Sequence, residues 1–431
     1  MIHIFTKLIS DDMKISLGVT EPGAIALAVS KARSLTSGEV LSVSLEINSG
    51  IYKNAFTCGI PNTQETGNLF AAALGLVAGD WRKGLASLEG LTNADVEAAR
   101  ELVDSGKVSV DLHEVSSELY IKAIVKTCSD TAEVTILKTH DNIARIKKNG
   151  KIVLEEAHTD QDDSDSRSTD ITTYGLEDFW SYAKEIPISE IAFIQKAYDT
   201  NLQLMEEGAN SIRTDICKLF IAENGEDLCS DDLLKTAQAM TAAAIEARVR
   251  GLNRPAMSIT GSGNHGIICT MPLYACSQVN GVSQEILLRA TALGYLITMY
   301  IKEYSGRLSA LCGCAVAAGT GASVGLLYML GGTQKQACYA IENMASSLTG
   351  VICTGGNPAC VLKAAMAIDI GCKSVNMAMK NIAVDAKHGI IGFTPEQTMR
   401  NMGLISSPGM IQTEKTIVDI LKEKMSVSVK E

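Results

Sequence analysis

No charged side chain occurs from 308 to 334. A run of this length can cross a bilayer. However, it holds Gly313, Gly319, Gly321, Gly331 and Gly332 together with Thr320 and Ser323, which suit a buried helix or helix pair in a large soluble domain. Thiols flank it. RLSALCGC carries Cys312 and Cys314, and GVICTGGNPAC carries Cys353 and Cys360. Small residues let backbones come close, and four thiols among them leave room for something bulky and soft. The spacing is not the CxxC of a zinc site. Two readings remain open on spacing alone: free cysteines packed as small hydrophobes, or a metal cluster. The TGGNP turn favours the second, because its backbone N–H groups suit sulfide and thiolate.

The charge balance narrows the partners. A net charge of -11 without a Lys/Arg-rich run excludes a nucleic-acid binder. In MIHIFTKLISDDMKISLG, Lys7, Asp11 and Asp12 stand where an export signal has its apolar core. No membrane association is expected. Twelve cysteines without such a signal fit a reducing, cytoplasmic compartment, as thiols or ligands and not as a disulfide frame.

Taken in order, residues 1–16 read as a short helix. Thr20 is placed to cap the next helix, with Pro22 in its first turn. LSVSLEIN (41–48) alternates as a strand, and the Gly/Asn/Pro-rich segment 48–67 reads as a functional loop. Residues 68–78 and 86–105 are helical by pattern. Strands follow at 107–115, 119–127, 132–139, 144–149 and 151–156, a β meander. The acidic segment 158–170 reads as a solvated connection. From 175 onward helical patterns dominate, interrupted by the loop NRPAMSITGSGNHG. The expected fold class is α+β: an N-terminal α+β domain with a β meander (1–172), then a mostly α-helical domain (173–431) carrying the cysteine ligands, with the boundary between 157 and 190.

The motifs GVTEPGAIALA, KNAFTCGIPNT, AAALG, RPAMSITGSGNHGI, RLSALC, GVICTGGNPAC and GMIQT occur in this order along nearly the whole chain. In them the sequence resembles the iron–sulfur L-cysteine desulfidases, within the wider serine dehydratase alpha-chain-like group. The resemblance implies a [4Fe–4S] cluster on Cys312, Cys353 and Cys360 with one open iron acting as a Lewis acid. It implies β-elimination from a small amino acid, with L-cysteine giving hydrogen sulfide, ammonia and pyruvate, or L-serine releasing water. One position departs. The family writes GCTEP, and that cysteine is its proposed base; here it is Val19. His265, where relatives are expected to carry Gln, and Cys314 are the candidate replacements. A catalytically silent homologue is the alternative.

The other candidates carry a bland reading beside the functional one. Thr20 and Glu21 line a pocket or serve as cap and first-turn acid. Lys53, beside Asn54, is the candidate for the substrate carboxylate, though most loop lysines are solvated. His140 and Asn142 in THDNIA match an HTN-like family motif. Arg248 is expected to pair with a carboxylate, Glu246 or the substrate's. Ser262 and Asn264 belong to a Gly/Ser loop whose amides suit an anion. That loop also evokes pyridoxal-phosphate dehydratases, but no Schiff-base lysine motif accompanies it. A homodimer is the favoured assembly.

Overall fold

The computed structural model describes residues 2–156 and 170–428. The acidic segment 158–170 lies outside these, apart from Asp170. The fold is α+β. Eight strands are present among the described residues: β1 (Lys14–Leu17), β2 (Val40–Ile47), β3 (Val108–Leu112), β4 (Tyr120–Thr127), β5 (Thr131–Leu137), β6 (Ile143–Lys148), β7 (Lys151–Glu155) and β8 (Pro255–Ser258). Six form one sheet in the order β3-β2-β4-β5-β6-β7. β2 and β3 are parallel, joined by a helical crossover; every other neighbour is antiparallel. The meander read from the alternating pattern holds for β4–β7, while β3 leaves it to pair parallel with β2, which lies between β3 and β4.

The alternation sets one face. Val43, Leu45, Ile47, Ile121, Ala123, Val125, Ala132, Val134 and Ile136 are all buried. Each buried Val or Ile contributes about 1.5–3 kcal/mol relative to exposure. Helix Thr20–Ser34 lies on this face and is itself covered by helix Gly67–Val77. The two helices cross closely, since a Cβ on Gly75 would stand 2.7 Å from Ala26 Cα. One buried apolar cluster runs from Phe5 to Val418 and joins this layer to the helices that follow.

Three expectations change. Residues 1–16 are not one helix: Ile4–Asp12 is helical, then β1 pairs antiparallel with β8, Lys14 opposite Ser258. The pairing partner lies far along the chain, so no local pattern announces it. The segment 48–67 is not all loop, because Ser49–Ala55 is a helix packed under the C-terminal helix Ile411–Ser428. The helix expected over 86–105 starts only at Asn93, where Thr92 and Asp95 form a capping box.

The uncharged run becomes a π-type turn, Cys314–Ala318, and a buried helix, Gly319–Met329. No helix among the described residues is long and apolar enough to cross a membrane. All twelve cysteines are free thiols.

Candidate active site

Backbone hydrogen bonds hold the two thiol loops side by side. Leu311 and Ile352 form an antiparallel bridge. The Cys312 amide donates to the Val351 carbonyl at 2.8 Å, and the Cys353 amide to the Ala310 carbonyl at 2.6 Å. Cys360 lies in the first turn of helix Ala359–Met379, its thiol donating to the Gly355 carbonyl at 3.4 Å. Cys314 shares a proton with Cys312, which holds Cys312 below the usual thiol range and pushes Cys314 well above it. Burial, then the charges at Cys312 and Cys353, push Cys360 up to about 12. The four thiols Cys312, Cys314, Cys353 and Cys360 thus lie within electrostatic reach of one another, Cys312 and Cys360 buried and Cys314 and Cys353 half-buried.

Glycine makes the cluster possible. Gly355 sits at φ +96°, and a Cβ there would stand 2.4 Å from the Lys53 carbonyl oxygen. A Cβ on Gly356 would stand 2.9 Å from Val19 Cγ1. The TGGNP loop thus lies on residues 53–54 and on the start of helix Thr20–Ser34, with the Gly356 amide donating to the Asn54 carbonyl at 3.1 Å.

On that side stand the acid and amide groups. Asn54 Nδ2 donates to Glu21 Oε1 at 2.8 Å, and the Cys353 thiol approaches Asn54 Oδ1 at 3.7 Å. His140 Nε2 lies 3.8 Å from Glu21 Oε1 and has no hydrogen-bond partner, although it is buried. Burial alone would raise Glu21, but His140, Asn54 and Arg248 overcome it and hold the carboxyl down at about 2. Thr20 is the first helical residue, not the cap; its hydroxyl accepts from Arg248 Nη2 at 3.1 Å. Arg248 Nη1 donates to Asn264 Oδ1 at 2.9 Å. Its expected partner Glu246 is occupied elsewhere, accepting from the amides of Asp215, Ile216 and Cys217 at the start of helix Ile216–Glu223.

Lys53 is not the free cation expected. Its Nζ donates to Glu414 Oε2 at 2.6 Å and to the Ser309 carbonyl at 3.0 Å, with its side chain fully buried. Burial opposes its charge, yet Cys353 and Glu414 more than restore it and raise its pKa. A solvated loop lysine is excluded too, because the C-terminal helix brings a carboxylate onto it.

His265 is buried, with Nδ1 2.6 Å from Thr260 Oγ1. The Thr260 hydroxyl gives its only proton to the Ile259 carbonyl at 2.7 Å. With Nδ1 as the donor in the Thr260 contact, the lone pair lies on Nε2. A Cβ on Gly313 would stand 2.6 Å from that nitrogen, so Nε2 faces the Cys312–Cys314 turn. Burial, Lys302 and Arg248 hold the imidazole well below its ordinary pKa and keep it neutral.

A cleft of about 1040 Å³ is lined in part by Thr20, His140, Thr260, Gly261, Lys302 and Arg307; neither His265 nor the four thiols line it. Ser262 precedes helix Gly263–Asn280 without capping it through its side chain. Asn142 turns away, donating to Glu156 Oε2 at 3.2 Å, so its expected place in the site is not realised.

Sequence reasoning missed Lys302 and Cys58. Cys58 is buried within electrostatic reach of Glu21, Arg248 and Cys360. Lys302 had a visible signal: it shares the stripe Thr291, Tyr295, Thr298 and Ser305 on helix Gln284–Ser305, all buried. A lysine on an apolar face is rare unless something needs its charge.

Among the described residues, no three His, Cys, Asp or Glu side chains are grouped to hold a single metal ion. A [4Fe–4S] cluster makes a different demand, placing each thiolate on its own iron among amide donors. Thiols from two pinned loops, with bare glycine backbone at 313, 355 and 356 and a nearby Lys363 charge, fit that demand.

The model of the serine dehydratase alpha chain family matches residues 82–419. A UPF0597 protein of Clostridium botulinum (strain Langeland) is 40% identical over 429 residues, 98% of this chain and 99% of its own. A UPF0597 protein of Caldanaerobacter subterraneus is 35% identical, over 98% of each chain. One of Clostridioides difficile is 33% identical, over 98% of this chain and 100% of its own. The match spans both thiol loops, the His265 helix and the Lys302 helix, and so the chain belongs to the serine dehydratase alpha-chain family.

Proposed function

We propose that the protein is an amino-acid lyase that removes a β-substituent from L-cysteine, with a [4Fe–4S] cluster held by Cys312, Cys353 and Cys360. The observation that supports it is the pairing of the two loops that bear these thiols, with His265 Nε2 facing the Cys312–Cys314 turn beside them. A bound cluster with one open iron supplies a Lewis acid for the departing sulfide.

The chain's own residues do the rest. His265 Nε2 takes the Cα proton. The Cα–H electron pair forms the Cα=Cβ bond as the C–S pair leaves on sulfur. The aminoacrylate then isomerises to an imine, and water hydrolyses it to pyruvate and ammonia. Thr260 fixes the imidazole, and the buried Arg248–Thr20–Asn264 set holds the wall behind it. Val19, lying against Gly356, has no proton chemistry to offer. The family description favours a second substrate, L-serine, with water as the leaving group.

Anaerobic reconstitution with iron and sulfide, followed by a pyruvate assay on both amino acids, tests the reading. Cys353→Ala is expected to lose iron and activity together. His265→Gln is expected to keep its iron and lose about 10²- to 10⁴-fold in kcat. Val19→Cys is expected to leave the rate unchanged. Iron-loaded protein that forms no pyruvate from either substrate overturns the proposal.

A further inference from the structure

Lys302 is a buried ammonium with no carboxylate. It is 6% exposed, and its Nζ donates to the Arg307 carbonyl at 3.2 Å. Among the described residues no Asp or Glu stands within ion-pair distance of it. The other buried cations of the site have more partners, although Arg248 Nε has none. Lys53 has Glu414, and Arg248 has Thr20 and Asn264 with the Glu21 charge nearby. An ammonium has three donors, so most of the Lys302 capacity is unused. A buried charge persists only where something opposes it, and Lys302 opens onto the cleft.

Basic groups and acids both stand around it, Asp11, Asp12, Asp141, Asp170 and Glu303 lining the same cleft. Gly261 at φ +75° carries no Cβ; one there would meet Arg307 Nη1 at 3.3 Å and His140 Nδ1 at 3.4 Å. This bare turn lets both side chains close on the same spot. His140 Nε2 turns instead to Glu21, 3.8 Å from its Oε1. The acids that face the cleft here are accounted for in part: Asp12 lies 3.5 Å from Arg307 Nη2 and also accepts from the Thr260 amide. Glu303 lines the cleft as well but makes no ion pair with Lys302. The Lys302 stem and His265 Nε2 both pack against the Gly313 turn. A Cβ on Gly313 would stand 2.6 Å from His265 Nε2 and 3.4 Å from Lys302 Cδ.

We propose that Lys302, with Arg307 and the Thr260–Gly261 turn, forms the subsite that takes the α-carboxylate of the substrate. The choice of an α-amino acid as ligand rests on the lyase reading. With its carboxylate on Lys302, the substrate would lie at the Gly313 turn, against which His265 Nε2 and the Lys302 stem both pack. Its negative charge would otherwise oppose removal of the Cα proton, and the ammonium offsets it.

The test uses binding, not turnover. L-Alanine has the carboxylate and amine but no leaving group, and L-alaninamide lacks the carboxylate charge. Calorimetric titration of iron-loaded wild type is expected to favour L-alanine by about 10- to 100-fold, the range of one charge-assisted hydrogen bond. Lys302→Met and Lys302→Gln abolish that preference, Lys302→Arg keeps part of it, and iron per chain stays unchanged in all three. Retained preference in Lys302→Met, or iron lost as in Cys353→Ala, overturns the subsite. Wild type that shows the preference yet forms no pyruvate upholds the subsite and sinks the lyase reading.

Discussion

The two walls of the site treat buried charge in opposite ways. On the closed wall, Lys53 has Glu414, Asn54 has Glu21, and the TGGNP loop seals both beneath backbone hydrogen bonds. On the open wall, Lys302 has only a carbonyl, and His140 Nε2 meets Glu21 at 3.8 Å without a hydrogen bond. The same kinds of group are used, yet on one wall each charge has a close partner, with only Glu414 Oε1 left over, and on the other it does not. A saturated wall resists change and holds the thiols in place. An unsaturated wall keeps donors for a ligand, at some expense in stability.

Removing a partner from the closed wall should have the largest effect. Glu414→Ala leaves the Lys53 ammonium buried and unpaired, and about 3–5 kcal/mol of unfolding free energy should be lost. Urea denaturation at pH 7 measures it. The double variant Lys53→Met/Glu414→Leu should recover most of the loss, because no charge is then stranded. A neutral Glu414→Ala would mean that the C-terminal helix is not docked as described.

Acid should act next, through Glu21. Its carboxyl is depressed from 4.5 to about 2 in the folded chain. A depressed acid contributes stability above its unfolded pKa, and that contribution fades as the pH falls from 4.5 toward 2. At full effect it is about 3 kcal/mol. Urea midpoints between pH 6 and pH 3 should therefore fall more steeply in wild type than in Glu21→Gln. Parallel curves would show that Glu21 is not ionised against His140 in the fold.

Gly355→Ala comes third. The residue sits at φ +96° with the Lys53 carbonyl 2.4 Å from any Cβ, so backbone must shift. The cost is about 1–3 kcal/mol. Iron retained after anaerobic reconstitution should drop with it, because the shifted loop carries Cys353 and Cys360. Full iron loading in this variant would show that the thiols tolerate a displaced loop.

How much of this was legible depends on the range of the interaction. The meander β4–β7 and helix Thr20–Ser34 were readable because period and turn chemistry are local, whereas the pairing of β3 with β2 was not. The thiols were readable as residues, and their convergence followed from a family pattern. The Lys53–Glu414 pair joins positions 361 residues apart, and nothing near either one announces the other. Pairing of β1 with β8 is hidden in the same way, and helix Ser49–Ala55 is too short to show a period. Lys302 was legible in principle, from one lysine on a buried stripe, but a stripe read only for apolar residues passes over it.

The smallest expected effect is the most informative, since it separates the walls. Lys302→Met replaces an ammonium lacking a carboxylate with a side chain of similar length that suits its surroundings. Two opposed contributions result. The hydrogen bond to the Arg307 carbonyl is lost, about 1 kcal/mol. The desolvation that lowers the Lys302 pKa to about 8, chiefly by burial, is relieved. A pKa displaced downward by that much corresponds to about 3 kcal/mol against the charged form at neutral pH, so relief should match or exceed the loss. The unfolding midpoint should stay unchanged or rise slightly, while the same substitution at Lys53 lowers it by stranding Glu414. Similar destabilisation at both lysines would erase the distinction between a wall that holds and a wall that binds.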